Sequence, residues 1–216
     1  MKSRRRRCRR GQVTEARAER ILFLPGASGD SQFWKPLADR LDHPAEKIVL
    51  GWPGFGRNPR DPNVNSLSDL YRSVHTLIDR PVDLVAQSMG GVLAMRAALE
   101  APALVRHLVL TATSGGLDVK RLGAIEWRDE RRRAEPTEPS WFTDDRSDYS
   151  DRFGEIAIPV LLIWGDADPI SPVAVGRHLA EVLPRAELMI VRGGDHSLGR
   201  DRADEIAPLI DHHLLA

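Results

Sequence analysis

Short blocks of apolar residues recur along the chain, separated by polar and glycine-rich segments. Several blocks have no polar residue at every second position, which is typical of strands that are buried on both faces. They are bounded by residues such as Pro25 and Gly26, which interrupt regular structure. The pattern predicts strands at 21–24, 47–50, 84–87, 106–113, 160–164 and 188–191.

Apolar residues at helical spacing fill most of the segments between these strands. Ser66 is a suitable N-cap for one helix, and Pro172 fits the first turn of another. The predicted helices cover 31–41, 66–78, 92–99, 172–183 and 204–214. Strands that alternate with helices in this order predict an α/β fold, in which a mostly parallel sheet of about six strands has helices on both faces.

The segment 114–157 interrupts this alternation. Its first part is compatible with one amphipathic helix, and the remainder has the composition of an irregular loop. Loops after the carboxyl ends of parallel strands commonly bind ligands, so we interpret the segment as a short lid insertion. The alternative is that its aromatic residues only anchor a long surface loop. The candidate pocket walls are Trp34 from the helix at 31–41 and, from the insertion, Leu122, Ile125, Trp127, Trp141 and Phe142.

Composition narrows the class of protein. A length of 216 residues suits one domain, and a hydrophobic content of 42% is sufficient for a buried core. The 31 basic residues balance the 31 acidic ones, so the chain as a whole has no electrostatic preference for nucleic acid. The single cysteine, Cys8, excludes an internal disulfide and a cysteine-built metal site, which favours a reducing, cytoplasmic setting. No apolar stretch is long enough to span a bilayer.

Arginine dominates the first ten residues. We interpret residues 1–18 as a basic tail without stable structure and residues 19–216 as the folded domain. One alternative is an arm that binds nucleic acid or a membrane surface. Another is the positively charged start of an export signal, but the apolar stretch that such signals require does not follow.

The segment 84–91 carries the most specific chemical signal. It places Ser88 between an apolar strand and a helix, with the small residues Ala86 and Gly90 two positions away on either side. In this strand–turn–helix arrangement a sharp turn lifts a nucleophilic hydroxyl clear of the sheet. The turn also leaves the Met89 N–H at the helix N-terminus, where it can stabilise an oxyanion. The alternative is a serine that only caps a closely packed helix.

A serine hydroxyl needs a base to accept its proton, and His196 is the candidate. Among the seven histidines, it alone lies in a loop directly after a predicted strand downstream of Ser88. Gly193 and Gly194 allow that loop to approach other segments closely. His196 also has the chain position that the order Ser…Asp…His requires.

An acid that orients the histidine is expected after a strand between these two residues. Asp168, in the loop after the strand at 160–164, is the preferred candidate. Asp166 stays open as an alternative, with a competing role in fixing the turn through its own backbone, and Asp195 is the third. A second oxyanion donor is expected from the loop after the first strand, where the N–H of Ala27 is the candidate.

Together these motifs resemble the α/β-hydrolase superfamily, from residue 21 to the C-terminus. The matching segments are 24–26, 33–34, 51–57, 86–91, 164–172 and 193–196. Within the superfamily the chain looks most like the small lidded carboxylesterases, such as the pimeloyl carrier-protein methyl ester esterases, and like haloperoxidase-like and C–C bond hydrolases. The resemblance implies that Ser88 is the nucleophile, His196 the general base and Asp168 the orienting acid.

The resemblance also implies an activity: hydrolysis of a small or medium carboxylic ester through an acyl-enzyme, with no metal or organic cofactor. The expected partner is a small-molecule ester and not nucleic acid, and the oligomeric state stays open. C–C bond hydrolysis, lactone opening and perhydrolysis remain alternatives, as does a non-catalytic binding protein of this fold. The chain departs from the family pattern at Pro25 and Ala86, in its short lid, and in the little room it leaves for an opening hairpin.

Overall fold

A computed structural model describes residues 17–216, and a six-stranded sheet lies at its centre. The strands are β1 (Arg20–Leu24), β2 (Glu46–Val49), β3 (Val82–Gln87), β4 (Val105–Thr111), β5 (Val160–Gly165) and β6 (Ala186–Val191). They lie in the order β2-β1-β3-β4-β5-β6, and every neighbouring pair is parallel. The predicted fold class is confirmed. The predicted tail at 1–18 lies outside the described residues except for its last two.

Helices cover both faces of the sheet. They are α1 (Lys35–Ala38), α2 (Leu67–His75), α3 (Met89–Glu100), α4 (Arg128–Ala134), α5 (Trp141–Asp144), α6 (Val173–Val182), α7 (Leu198–Asp201) and α8 (Ala203–Leu214). Helices α2, α3 and α6 share one core with the sheet, and α1, α7 and α8 share the other. Within residues 17–216, none of the helices combines the length and the apolar composition that crossing a membrane requires.

The central strands are buried on both sides, which explains their unbroken apolar sequence. In β1, Leu22 and Leu24 belong to the core that contains α3, whereas Ile21 and Phe23 belong to the core that contains α8. Successive side chains of a strand point to opposite faces, so a strand between two helical layers needs an apolar residue at each position. The edge strand β6 lacks this cover in part, and its Ile190 is exposed.

The helix predicted at 31–41 is much shorter in the structure, where α1 has four residues. Asp30 Oδ1 accepts the N–H of Gln32 at 2.8 Å, which favours a tight turn instead of a helix start. Pro36 lacks an N–H group and therefore fits only the first turn of a helix. The short helix α7, which links β6 to α8, is not among the predicted elements.

The insertion between β4 and β5 contains more regular structure than its sequence predicts. Helix α4 matches the expected amphipathic helix. The part expected to be irregular contains α5 and a 3-10 helix at Ser150–Glu155. Arg132 joins the two α-helices, because its Nε donates to Thr143 Oγ1 at 2.9 Å and one terminal nitrogen lies 2.7 Å from Asp144 Oδ1.

A buried histidine cluster lies near the amino ends of β3 and β4. His107 Nδ1 is 2.8 Å from Asp83 Oδ1, and the rings of His107 and His213 meet edge-on with centroids 5.4 Å apart. His213 Nε2 donates to the Leu108 carbonyl oxygen at 3.1 Å. Burial, and to a lesser degree the nearby His107, lowers the pKa of His213 to about 4. The folded protein therefore keeps this ring neutral in mildly acidic solution.

Stability is expected to fall as the pH drops from about 6.5 towards about 4, because His213 takes up a proton in the unfolded chain but not in the folded one. Burial also lowers the pKa of His43, which acts in the same direction. Urea midpoints between about pH 8 and about pH 4.5 measure the decline. His213→Gln should flatten it, and His212→Gln, at an exposed neighbour, should not. Equal slopes in both variants and the parent would contradict the role of His213.

Candidate active site

Ser88 joins β3 to α3 in a strained turn at the carboxyl edge of the sheet. Its φ of 50° lies in the left-handed region, which residues other than glycine seldom adopt. A Cβ on Gly90 would overlap the Leu24 carbonyl oxygen, and a Cβ on Gly91 would overlap the Thr113 side chain. Glycine at both positions thus lets α3 begin directly against the neighbouring backbone, which places the serine at the apex of the turn.

Thr113, in the segment after β4, holds this turn from the adjacent strand. Its Oγ1 donates to the Ser88 carbonyl oxygen at 2.6 Å and accepts the N–H of Gly115 at 3.0 Å. The side chain is buried, so these bonds fix its position. The sequence did not identify Thr113 as a site residue, because Thr113 and Ser88 are 25 residues apart and come together only in the fold.

His196 and Asp168 form a hydrogen-bonded pair between the loops after β6 and β5. His196 Nδ1 lies 2.9 Å from Asp168 Oδ2. The other carboxylate oxygen, Oδ1, accepts the N–H groups of Ile170 at 2.7 Å and Ser171 at 3.0 Å. Because a carboxylate only accepts, it favours the imidazole tautomer with the proton on Nδ1 and leaves Nε2 as an acceptor.

The two alternative acids contact the backbone of the histidine loop instead of the imidazole. Asp166 Oδ1 accepts the N–H of Gly193 at 2.6 Å. Asp195 Oδ1 accepts the N–H of Ser197 at 2.8 Å. The expectation that Asp166 fixes its own turn is therefore corrected: its side chain ties the loop after β5 to the loop after β6.

The Ser88 hydroxyl and the His196 imidazole border the same two cavities. Within residues 17–216 the hydroxyl makes no hydrogen bond to the imidazole, whose Nδ1 bonds Asp168. In enzymes without substrate such hydrogen bonds are often long or poorly aligned, and they tighten when substrate binds.

Two backbone N–H groups near Ser88 have no acceptor within the described part of the chain. They belong to Ala27, in the loop after β1, and to Met89, the first residue of α3. A Cβ on Gly26 would lie 3.2 Å from the Ser88 Cβ, so the loop after β1 reaches the serine closely. N–H groups in the first turn of a helix have no intrahelical partner. Both groups are thus free to donate to an oxyanion formed at Ser88.

Two cavities meet at Ser88, with volumes of about 350 Å³ and about 500 Å³. Ser88, Trp127, Ile170 and His196 line both cavities, so the serine and the imidazole lie where the cavities join. The lid also attaches here, because the Ile125 N–H donates to the Ile170 carbonyl oxygen at 3.3 Å. The site thus offers two separate spaces that meet at Ser88.

Both apolar and charged residues line the smaller cavity. Buried Leu67, Met89 and Phe142 line it together with half-buried Val92. Its charged lining residues belong mainly to the insertion: Asp118, Lys120, Glu126, Arg128, Asp145, Arg146 and Asp148. Sequence periodicity places Leu67 and Val92 on helices but does not indicate that they border the serine.

The structure separates the predicted wall residues of the insertion into two groups. Ile125, Trp127 and Phe142 line the smaller cavity. Leu122 and Trp141 line neither of the two cavities at Ser88. Leu122 packs against the main core, and the Trp141 ring meets the Phe142 ring edge-on at 6.3 Å between centroids. These two residues therefore pack within the protein and do not face the cavities at Ser88.

Trp34 also lines neither cavity, which corrects its assignment as a pocket wall. Its side chain is fully buried, and its Nε1 donates to the Leu24 carbonyl oxygen at 2.9 Å. The ring packs edge-on against Phe33 and so closely over Gly199 that a Cβ there would lie 2.6 Å away. Phe33 lines the larger cavity in its place. The tight turns that replace the helix predicted at 31–41 decide which of the two adjacent rings faces the site.

Comparison with known families gives a match over most of the chain. A family model described as the alpha/beta hydrolase family matches residues 21–209. The match includes every residue of the site described above and all six strands except the first residue of β1.

Individual relatives are distant but extend over nearly the whole length. A pimeloyl-[acyl-carrier protein] methyl ester esterase from Legionella pneumophila is 22% identical, over 90% of this chain and 94% of the relative. A 2-hydroxy-6-oxononadienedioate/2-hydroxy-6-oxononatrienedioate hydrolase from Cupriavidus pinatubonensis is 26% identical, over 85% and 82%. Among solved structures, a thermophilic esterase from Thermogutta terrifontis has a TM-score of 0.74 at 19% identity, over 93% of this chain and 90% of that chain. The last likeness is one of fold.

Proposed function

The chain belongs to the alpha/beta hydrolase family, and we propose that it is a serine hydrolase that cleaves a small or medium carboxylic ester through an acyl-enzyme. The observation that carries the proposal is the pairing of His196 with the buried Asp168, at 2.9 Å, beside a serine at φ 50°. A histidine held by an anion next to a strained serine is the arrangement that activates a hydroxyl as a nucleophile.

In the first half of the proposed reaction, Ser88 Oγ attacks the ester carbonyl carbon while His196 Nε2 takes the hydroxyl proton. The electron pair of the carbonyl double bond moves to oxygen, where the N–H groups of Ala27 and Met89 stabilise it. Asp168 stabilises the imidazolium that forms. When the tetrahedral intermediate collapses, the alcohol leaves with the proton from His196, and the acyl group remains bonded to Ser88.

Water completes the proposed reaction. His196 takes a proton from a water molecule while the water oxygen attacks the acyl carbonyl carbon. The bond to Ser88 Oγ then breaks, the serine recovers its proton from His196, and the carboxylic acid departs. The whole route uses protein groups and water and requires no metal or organic cofactor.

The two cavities support the proposed substrate size. We assign the acyl chain to the smaller cavity, where Leu67, Val92 and Phe142 form an apolar part of the wall, and its volume of about 350 Å³ is at the lower end of the range for small-molecule sites. The larger cavity, which Phe33 and Trp127 line, leaves space for the alcohol. An ester of short or medium length fits this division.

An active-site fluorophosphonate probe and p-nitrophenyl esters test the proposal together. The probe should form one covalent adduct, mapped by peptide mass spectrometry to Ser88, and the protein should hydrolyse p-nitrophenyl acetate and butyrate. Absence of an adduct on folded protein would favour a non-catalytic binding protein. The proposal fails if the adduct forms elsewhere or if hydrolysis persists after Ser88 has been fully labelled.

C–C bond hydrolysis on the same residues is the second candidate, because a full-length relative is named for the hydrolysis of a 2-hydroxy-6-oxo dienedioate. Lactone opening and perhydrolysis would also use the same residues. Turnover of a 2-hydroxy-6-oxo dienoate faster than any ester would favour the C–C reaction. Probe labelling alone does not distinguish these reactions, whereas the substrate profile does.

Val92→Phe is expected to shorten the acyl chain that the site accepts. Val92 lies on the first turn of α3 and lines the smaller cavity without taking part in the proposed chemistry. A larger ring there should lower kcat/KM for p-nitrophenyl hexanoate by about 10-fold and leave the acetate nearly unchanged, since one or two methylenes in an apolar pocket change binding by about 1–3 kcal/mol. Val92→Ala should shift the preference towards longer chains. A uniform loss on all esters would contradict the assignment of this cavity to the acyl group.

A further inference from the structure

Gln87 is a buried polar side chain at the end of an otherwise apolar stretch of strand. It is the last residue of β3 and directly precedes Ser88, and only 4% of it is exposed. Burying an amide costs free energy unless the amide forms hydrogen bonds. Its contacts therefore show what this position contributes.

The amide connects the nucleophile strand to the histidine loop. Gln87 Nε2 donates to the His196 carbonyl oxygen at 3.2 Å. This bond determines how the amide is oriented, because a carbonyl oxygen only accepts and the amide nitrogen must face it. Oε1 then faces the loop after β1, where a Cβ on Gly26 would overlap it. One side chain thus fills the space between the loop of the proposed base and the loop of the proposed oxyanion donor Ala27.

The other hydrogen bonds of the histidine loop connect it elsewhere. Asp166 Oδ1 holds Gly193, and the Gly194 carbonyl oxygen accepts the N–H of Ala167 at 3.0 Å, so both bonds lead to the loop after β5. The bond that Asp168 accepts from Nδ1 fixes the rotation of the imidazole and does not involve the His196 backbone. The Gln87 bond anchors that backbone to the residue next to Ser88, and it therefore acts on the distance between the two reacting groups.

We propose that Gln87 is a positioning residue. It sets the distance between Ser88 and His196 and holds the loop that carries Ala27 beside them. The inference rests on the proposed serine hydrolase function. Loss of the Nε2 bond lets the histidine loop move away from the serine, and displacements of about 1 Å in a catalytic arrangement lower the rate by about 100-fold. Gln87 also lines the larger cavity, but methionine fills nearly the same space, so substrate binding should change little.

Gln87→Met and Gln87→Glu test the inference, with Gln32→Met as the matched control at an exposed site. Methionine keeps the length of the side chain but has no N–H donor, and glutamate keeps the shape and replaces the donor with a carboxylate. We expect Gln87→Met to lower kcat for p-nitrophenyl butyrate by about 10- to 100-fold with KM changed by less than about threefold. The rate of fluorophosphonate labelling should fall in parallel, and Gln32→Met should match the parent.

The pH–rate profile separates positioning from simple structural support. Gln87→Glu should lose activity as the pH rises and its own carboxyl ionises, because only the protonated carboxyl can donate to the His196 carbonyl oxygen. Gln87→Met should lower the plateau of the profile without moving its acid limb, because the imidazole keeps Asp168 as its partner. Folding is checked by thermal unfolding of both variants.

Two results would overturn the inference about Gln87: a kcat within about twofold of the parent in folded Gln87→Met, or a rise in KM alone, which would make the side chain a pocket wall. Failure of the proposed function looks different. In that case the parent protein itself shows no Ser88-dependent hydrolysis and no adduct.

Discussion

Ser88→Ala is expected to lower kcat for ester hydrolysis by about four orders of magnitude or more, the loss found when the nucleophile of a serine hydrolase is removed. The change deletes one atom, the Oγ of the proposed nucleophile, and within residues 17–216 Ser88 is the only hydroxyl-bearing residue at positive φ. Hydrolysis of p-nitrophenyl butyrate before and after the substitution, with titration of active sites by the probe, measures the effect.

Folding should be unaffected by this substitution, which makes its interpretation direct. The Ser88 hydroxyl makes no hydrogen bond within residues 17–216, and alanine tolerates φ 50° no better and no worse than serine. The Ser88 carbonyl oxygen keeps its bond from Thr113. Thr113→Ala is a useful comparison, because it loosens the turn without removing the nucleophile and should leave measurable activity. Residual turnover above about 1% in purified Ser88→Ala would contradict the role of the serine.

The parts of the site that sequence predicts are those that depend on local chemistry. A turn that places a residue at positive φ between a strand and a helix needs small neighbours, and Gly90 supplies one within two residues of Ser88. The apolar strands were predictable for a related reason. Burial between two helical layers requires apolar side chains at successive positions, and that pattern is visible without any knowledge of the fold.

Contacts between segments that are distant in the sequence were harder to predict. Which of the adjacent residues Trp34 and Phe33 lines a cavity depends on the turn at residues 31–34, where the sequence predicted a helix. The role of Thr113 depends on the pairing of β3 with β4, which brings it to the Ser88 carbonyl oxygen. The local sequence around Thr113 does not predict which strand lies beside β4.

Gln87 shows that a signal can be present in the sequence and still lack meaning until the fold is known. A polar residue after Leu84, Val85 and Ala86 is unusual for a buried strand. Its purpose becomes clear only when β3 and the loop after β6 are placed side by side, with His196 at the end of the amide. The same holds for the insertion between β4 and β5, where Arg132 connects α4 to α5 through Thr143, eleven residues further along the chain.

Asp168→Asn is expected to lower kcat by about 10⁴-fold with little change in KM, because it fixes the wrong imidazole tautomer. The N–H groups of Ile170 and Ser171 both point at Oδ1, so the asparagine must place its carbonyl oxygen there. Its NH₂ group then faces His196 Nδ1. An NH₂ group is a donor, so Nδ1 must become the acceptor, which moves the ring proton to Nε2 and leaves no lone pair to receive the Ser88 proton.

Asp166→Asn is the matched control for this substitution. Asp166 lies two residues earlier in the same loop, and its Oδ1 accepts the N–H of Gly193, a bond that an asparagine oxygen can keep. The control should therefore retain kcat within about threefold, although both variants lose one negative charge from the same loop. Hydrolysis of p-nitrophenyl butyrate across the pH range in which the parent is active measures both variants. Equal losses in the two would assign the effect to loop charge and not to the imidazole tautomer, and a larger loss in Asp166→Asn would transfer the orienting role to Asp166.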